Sequence, residues 1–154
     1  MTMVSKNILS HFIDKIECRD KIGADISPYL IALHNHAQQS TEYPEDITRE
    51  YYNSVREQYN HHKGDNTELG IVGYLGSMNG RFFDGGYAKP LYKDGKLFRN
   101  FYHQHRDNLI TQSKNPLYRN ILFMCQNYEF FYGVSDCLIY CDPPYKDKKN
   151  IWCI

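Results

Sequence analysis

The sequence predicts an α/β domain built on a small, mainly parallel sheet. Short apolar runs of strand type stand at 22–25, 119–125 and 137–141, and each closes on polar residues: Asp25, Gln126-Asn127-Tyr128 and Asp142. Segments whose apolar residues recur at helical spacing separate these runs. At 154 residues the chain fits one domain, and with 42% apolar residues it can bury a core. Open α/β sheets bind ligands at the carboxyl ends of their strands, so the three polar strand ends are where a site is expected.

In order along the chain, Ile8, Phe12, Ile13 and Ile16 share one side of an amphipathic helix expected over 7–17. The run 22–26 reads as a strand ending in an acid. Ser27-Pro28 then starts a helix, with a hydroxyl N-cap before a proline in first position. That helix is expected to reach about Gln39 with Leu30, Ile31, Leu33, His34 and Ala37 inward. A strand–acid–helix unit holds the ribose of adenosine in nucleotide-binding sheets; an acid before a helix also serves as a simple cap or dipole partner. Thr48 to His61 is expected to be helical, with Tyr51, Tyr52, Val55 and Tyr59 on one face, and Glu68 to Met78 to be a short buried helix. A further helix is expected over 98–111, stopping before Asn115-Pro116. His61-His62 has no carboxylate or cysteine at ligand spacing, so no metal site is expected.

Formal net charge is zero, which excludes a global field favouring nucleic acid. Charge is nonetheless local: Lys89 to Arg119 carries seven Lys/Arg against two acids, a surplus of five, interleaved with Tyr92, Phe98, Phe101, Tyr102 and Tyr118. Basic residues with aromatics are the footprint of nucleic-acid contact; an ordinary solvated face with core rings behind it has the same composition. The segment 79–119 is expected to form a lobe beside the sheet. The five cysteines are odd in number and lack C-x-x-C spacing, against a disulfide framework or zinc site. Cys125, Cys137 and Cys141 are expected as buried thiols, which implies a reducing, cytoplasmic setting. No apolar run reaches membrane-spanning length, so no membrane association is expected.

The last strand run ends in Asp142-Pro143-Pro144-Tyr145. The two prolines hold the chain extended and stiff. Asp142 and the Pro143 carbonyl can together accept both hydrogens of one planar amino group, and Tyr145 offers a face for stacking a base. A chance Asp-Pro-Pro-Tyr in a chain this long is on the order of one in a thousand.

Asp142-Pro143-Pro144-Tyr145 resembles the signature of amino-group methyltransferases. With Asp25 inside Gly23-Ala24-Asp25-Ile26-Ser27-Pro28, and the run Gly80-Arg81-Phe82-Phe83-Asp84-Gly85-Gly86-Tyr87-Ala88, the chain is similar to the Dam-like family of DNA adenine methylases, phage-type members included. The resemblance covers about 8–148. It implies a Rossmann-like sheet dependent on S-adenosylmethionine, interrupted by an inserted helical target-recognition segment, with methyl transfer to adenine N6 of double-stranded DNA. By this resemblance, residues 1–40 and 115–154 form a partial methyltransferase core and 41–114 the insertion. Catalysis would fall to Asp142, Pro143, Pro144 and Tyr145; cofactor binding to Asp25, Asn127 and Tyr128; nucleic-acid binding to Arg81, Lys89, Lys93, Lys96 and Arg99.

Two departures from the family pattern stand out. Asn127 occupies the place of an acid that contacts the cofactor's adenine; its carbonyl still accepts a hydrogen bond, without charge. The family's Phe-x-Gly-Gly loop has no counterpart before Asp25. The expectation is therefore a fragment with impaired activity, with room for a second chain to supply the loop. Two readings compete with it: a nucleic-acid-binding remnant without catalysis, and a methyltransferase acting on RNA or on a protein amide.

Overall fold

A computed structural model describes residues 20–139. The helix expected over 7–17 and the Asp142–Tyr145 motif lie outside them. The chain is mixed α/β around a short parallel sheet. Strand β1 (Lys21–Asp25) lies parallel to β4 (Ile121–Cys125), with Lys21 opposite Ile121 and Asp25 opposite Cys125.

Helix α1 (Pro28–Gln39) begins where its sequence places it. The Ser27 hydroxyl accepts from the Leu30 N–H, and Pro28 takes the first turn, where its missing N–H costs nothing. Leu30, Ile31, Leu33 and Ala37 are buried. His34 stacks on Phe123, with ring centroids 4.6 Å apart. The Gln38 amide donates to the carbonyls of Tyr118 (2.9 Å) and Ile121 (2.8 Å). The helix is thus fastened to the start of β4 as well as packed on it.

Helix α2 (Arg49–Asn60) is capped by Thr48 and buries Tyr52 and Val55. The next apolar stretch is not one regular helix. A five-residue helix, α3 (Asn66–Gly70), widens into a π turn over Ile71–Leu75, and after Gly76 and Ser77 a 3-10 turn covers Met78–Gly80. Every residue from Leu69 to Ser77 is buried. A Cβ on Gly70 would collide with the Tyr29 carbonyl, so glycine there sets how closely α1 and α3 approach.

Residues 91–99, expected to be partly helical, form an antiparallel hairpin instead: β2 (Leu91–Lys93) and β3 (Lys96–Arg99). Asp94 (φ 51°) and Gly95 (φ 73°) turn it, the two left-handed residues that a two-residue hairpin requires. The following helix therefore starts later, as α4 (Phe101–Ser113) with Asn100 as its cap. Asn115-Pro116 opens the single turn α5 (Pro116–Arg119), which delays the strand expected from Arg119 to Ile121.

Three further expectations are corrected. Residues 137–139 are not in a strand, so the described parallel sheet has two strands rather than three; Leu138 and Ile139 are exposed. Cys125 is exposed and Cys137 half-exposed, because β4 carries Cys125 to the sheet's edge, where its thiol reaches the Ile26 carbonyl at 3.5 Å. Residues 79–119 do not pack as a separate lobe. Phe82, Phe83, Tyr102, Leu109 and Tyr118 share one core cluster with Leu30, Leu33, Val72 and Phe123.

Candidate functional site

The parallel pairing carries β1 and β4 out of the sheet at the same edge. The Gln126 N–H donates to the Asp25 carbonyl (3.1 Å), which extends the pairing one residue past the strands. Asn127 and Tyr128 then begin a 3-10 turn over Tyr128–Phe131, in which Tyr128 is exposed. The structure therefore brings two sequence-predicted regions together at one sheet edge: the end of β1 with Asp25, and the end of β4 leading into Asn127 and Tyr128. Asp142, Pro143, Pro144 and Tyr145 lie outside the described residues.

Asp25 is half-buried, and its Oδ1 accepts the Ser27 N–H at 2.8 Å. The Ser27 hydroxyl, besides capping α1, lies 3.0 Å from the Tyr74 hydroxyl. Tyr74 comes from the π turn and is buried; that burial holds its hydroxyl well above the usual tyrosine range, with the Asp25 charge adding to the effect. Sequence reasoning missed Tyr74. It lies 47 positions from Ser27, and no local pattern links them.

At this edge the chain presents a carboxylate acceptor beside a helix start. A carboxylate beside a helix N-terminus can accept from vicinal hydroxyls. Its acceptor oxygens are the type that vicinal hydroxyls, such as those of a ribose, can donate to. The exposed Tyr128 ring and the Asn127 amide offer stacking and a neutral acceptor for a purine.

The basic residues divide into three situations. Lys93 and Lys96 face each other across the hairpin and are exposed. Tyr92 (68% exposed), Leu97 (53%) and Phe98 (69%) project beside them; so much apolar surface on a two-stranded ribbon gains nothing from folding. Arg99 is steadied: its Nε and Nη2 donate to Gln104 Oε1 at 3.1 and 2.9 Å, and its guanidinium lies over the Phe101 ring at 4.5 Å. Lys89 is exposed just before the hairpin.

Arg81 differs. It is exposed but ion-paired with Asp84, three residues on, so its charge is partly offset locally. The aromatics around it are not surface rings at all. Phe82 and Phe83 turn inward and are buried, with Phe82 stacked on Tyr29 at 5.0 Å. The glycine-flanked loop is a plug in the core, and its Arg81–Asp84 pair faces out. The signal that would have found the hairpin is Asp94-Gly95 between two short β-type runs.

Among the described residues, no helix is long and apolar enough to cross a membrane, and no group of three or more His, Cys, Asp or Glu is placed to hold a metal. His61 pairs with Glu57 on the exposed end of α2.

No protein-family profile matches the sequence. The chain is similar to the type II methyltransferase M.MjaIII of Methanocaldococcus jannaschii, at 25% identity over 145 residues. The match takes in 86% of this chain and 47% of the relative, so the chain spans about half the relative's length.

Proposed function

We propose that the chain belongs to a DNA adenine-N6 methyltransferase and carries its base-holding and ribose-holding groups. The observation that carries this reading is Asp142-Pro143-Pro144-Tyr145 at the end of an apolar run. Two others support it: the likeness to a type II methyltransferase over most of the chain, and the placing of Asp25 at the carboxyl end of a parallel strand beside a helix start.

The adenine amino nitrogen is a poor nucleophile because its lone pair is delocalised into the ring. Asp142 and the Pro143 carbonyl accept its two hydrogens, localise that pair, and stabilise the positive charge that develops on nitrogen. Pro143 and Pro144 hold both acceptors stiffly, which lowers the cost of orientation. The base reaches them only after leaving the duplex, and Tyr145 then stacks on it. S-adenosylmethionine, when bound, supplies the electrophilic methyl group. Asp25 holds its ribose hydroxyls, and Asn127 and Tyr128 its adenine. The hairpin 91–99, with Lys93, Lys96 and Arg99 among exposed Tyr92 and Phe98, holds the nucleic acid, and Lys89 and Arg81 add phosphate contacts.

The test is methyl transfer from labelled S-adenosylmethionine to unmodified duplex DNA, with the product nucleoside identified. The expected result is slow, impaired label in N6-methyladenine that the Asp142→Ala variant abolishes. Label on cytosine, or label indifferent to Asp142→Ala, contradicts the reading. Transfer to single-stranded RNA in preference to duplex DNA would replace the substrate and keep the chemistry.

A further inference from the structure

We infer that Tyr74 is a positioning residue for the Asp25 carboxylate, acting from the π turn through Ser27. The inference rests on the reading of Asp25 as the ribose-binding acid. The Tyr74 hydroxyl lies 3.0 Å from the Ser27 hydroxyl. Ser27 is itself buried, and its backbone N–H donates to Asp25 Oδ1 at 2.8 Å while its hydroxyl accepts from the Leu30 N–H at 3.3 Å. One serine therefore fixes the start of α1, one carboxylate oxygen and the link to Tyr74. Tyr74 is in turn held by packing, with its ring 4.8 Å from that of Phe82.

The local backbone explains why this tyrosine reaches Ser27. A π turn adds a residue to the helical repeat and rotates the side chains that follow it, and such turns occur often at functional sites. Here the widened turn covers Ile71–Leu75, in the stretch between β1 and β4 that lies outside the sheet. The line Tyr74–Ser27–Asp25 couples that stretch to the sheet edge. A carboxylate with one oxygen held by the Ser27 N–H has its plane constrained, which is what recognition of two adjacent ribose hydroxyls needs.

The test uses calorimetric titration of the full chain with S-adenosylhomocysteine, with thermal melts of each variant. Asp25→Asn is expected to weaken binding at least tenfold. Tyr74→Phe, which keeps the ring and removes the hydroxyl, is expected to weaken it about 2- to 10-fold, the range of one lost hydrogen bond. Ser27→Ala is expected to do at least as much, and the Ser27→Ala/Tyr74→Phe double variant no more than the larger single change, because both cut one line. Leu109→Ala truncates a buried residue of α4 that none of these contacts involves; it should lower Tm and leave affinity unchanged. Should Tyr74→Phe fail to fold, Ser27→Ala alone decides. Unchanged affinity in Tyr74→Phe or Ser27→Ala, with Asp25→Asn impaired, overturns the positioning role alone. Binding that is absent in the unmodified chain or indifferent to Asp25→Asn overturns the cofactor reading, and the positioning role with it.

Discussion

Two groups of aromatic residues in this chain are alike in composition and opposite in fate. Tyr29, Tyr59, Tyr74, Phe82 and Phe83 pack ring against ring, at centroid distances from 4.7 to 5.5 Å. Tyr92 and Phe98 stand on a two-stranded ribbon with about two-thirds of their surface in water. Glycine and arginine accompany the first group, lysine and arginine the second. What separates them is the backbone beneath: the closed loop 77–88, pinned by the Ala88 N–H on the Gly76 carbonyl and the Met78 N–H on the Gly86 carbonyl, turns its rings inward. Among the described residues, no layer covers Tyr92 and Phe98 of the hairpin. Basic-and-aromatic composition alone therefore does not separate a surface ring from a core ring; the backbone beneath does.

The largest effect should come from breaking the inner group. Phe82→Ala opens a cavity among the rings of Tyr29, Tyr59, Tyr74 and Phe83. It is expected to cost about 3–5 kcal/mol of stability, measured by urea unfolding. The next concerns charge on the outer group. Lys93→Ala and Lys96→Ala together should leave stability within about 0.5 kcal/mol. They should also flatten the salt dependence of DNA binding, by about 0.9 in slope for each phosphate no longer neutralised. An unchanged slope would make these lysines merely solvated. Gly95→Ala is a smaller test of the ribbon. With φ at 73° and open space around the site, the cost is backbone strain alone, about 1 kcal/mol or less, read as faster amide exchange in 91–99.

A further effect, different in kind, is alkaline. Burial pushes the hydroxyls of Tyr43 and Tyr102 up to about 12, against about 10 in an unfolded chain. The folded state thus keeps protons that the unfolded state releases. Stability should be full below pH about 10 and fall as pH rises from there through about 12, seen as a falling urea midpoint.

The elements beneath the inner group were legible in the sequence, though its rings, Tyr59 apart, were not. Ser27-Pro28 and Thr48 announced two helix starts because capping is local chemistry, and the strand β1 ended at Asp25 as its apolar run did. The strand near 121–125 was legible in kind but misplaced at its start, because Pro116 opens a helical turn as readily as it follows one. The hairpin is marked by Asp94-Gly95 alone, and the lysines and rings on either side carry no β period strong enough to reinforce it. The strand expected over 137–141 failed across 137–139, since a short apolar run carries no period that separates strand from coil. The Tyr74–Ser27 contact depends on a π turn and a fold-level approach, and neither leaves a local mark.

The contrast between the groups is tested most directly by measuring duplex-DNA affinity and unfolding free energy together for the Tyr92→Ala/Phe98→Ala double variant. Stacking of a base on an aromatic ring is worth about 1–3 kcal/mol. The expected result is a loss of affinity of at least tenfold at fixed salt, with stability unchanged within about 0.5 kcal/mol. Unchanged affinity, or a loss of stability comparable to that of Phe82→Ala, would show that the outer rings are structural like the inner ones.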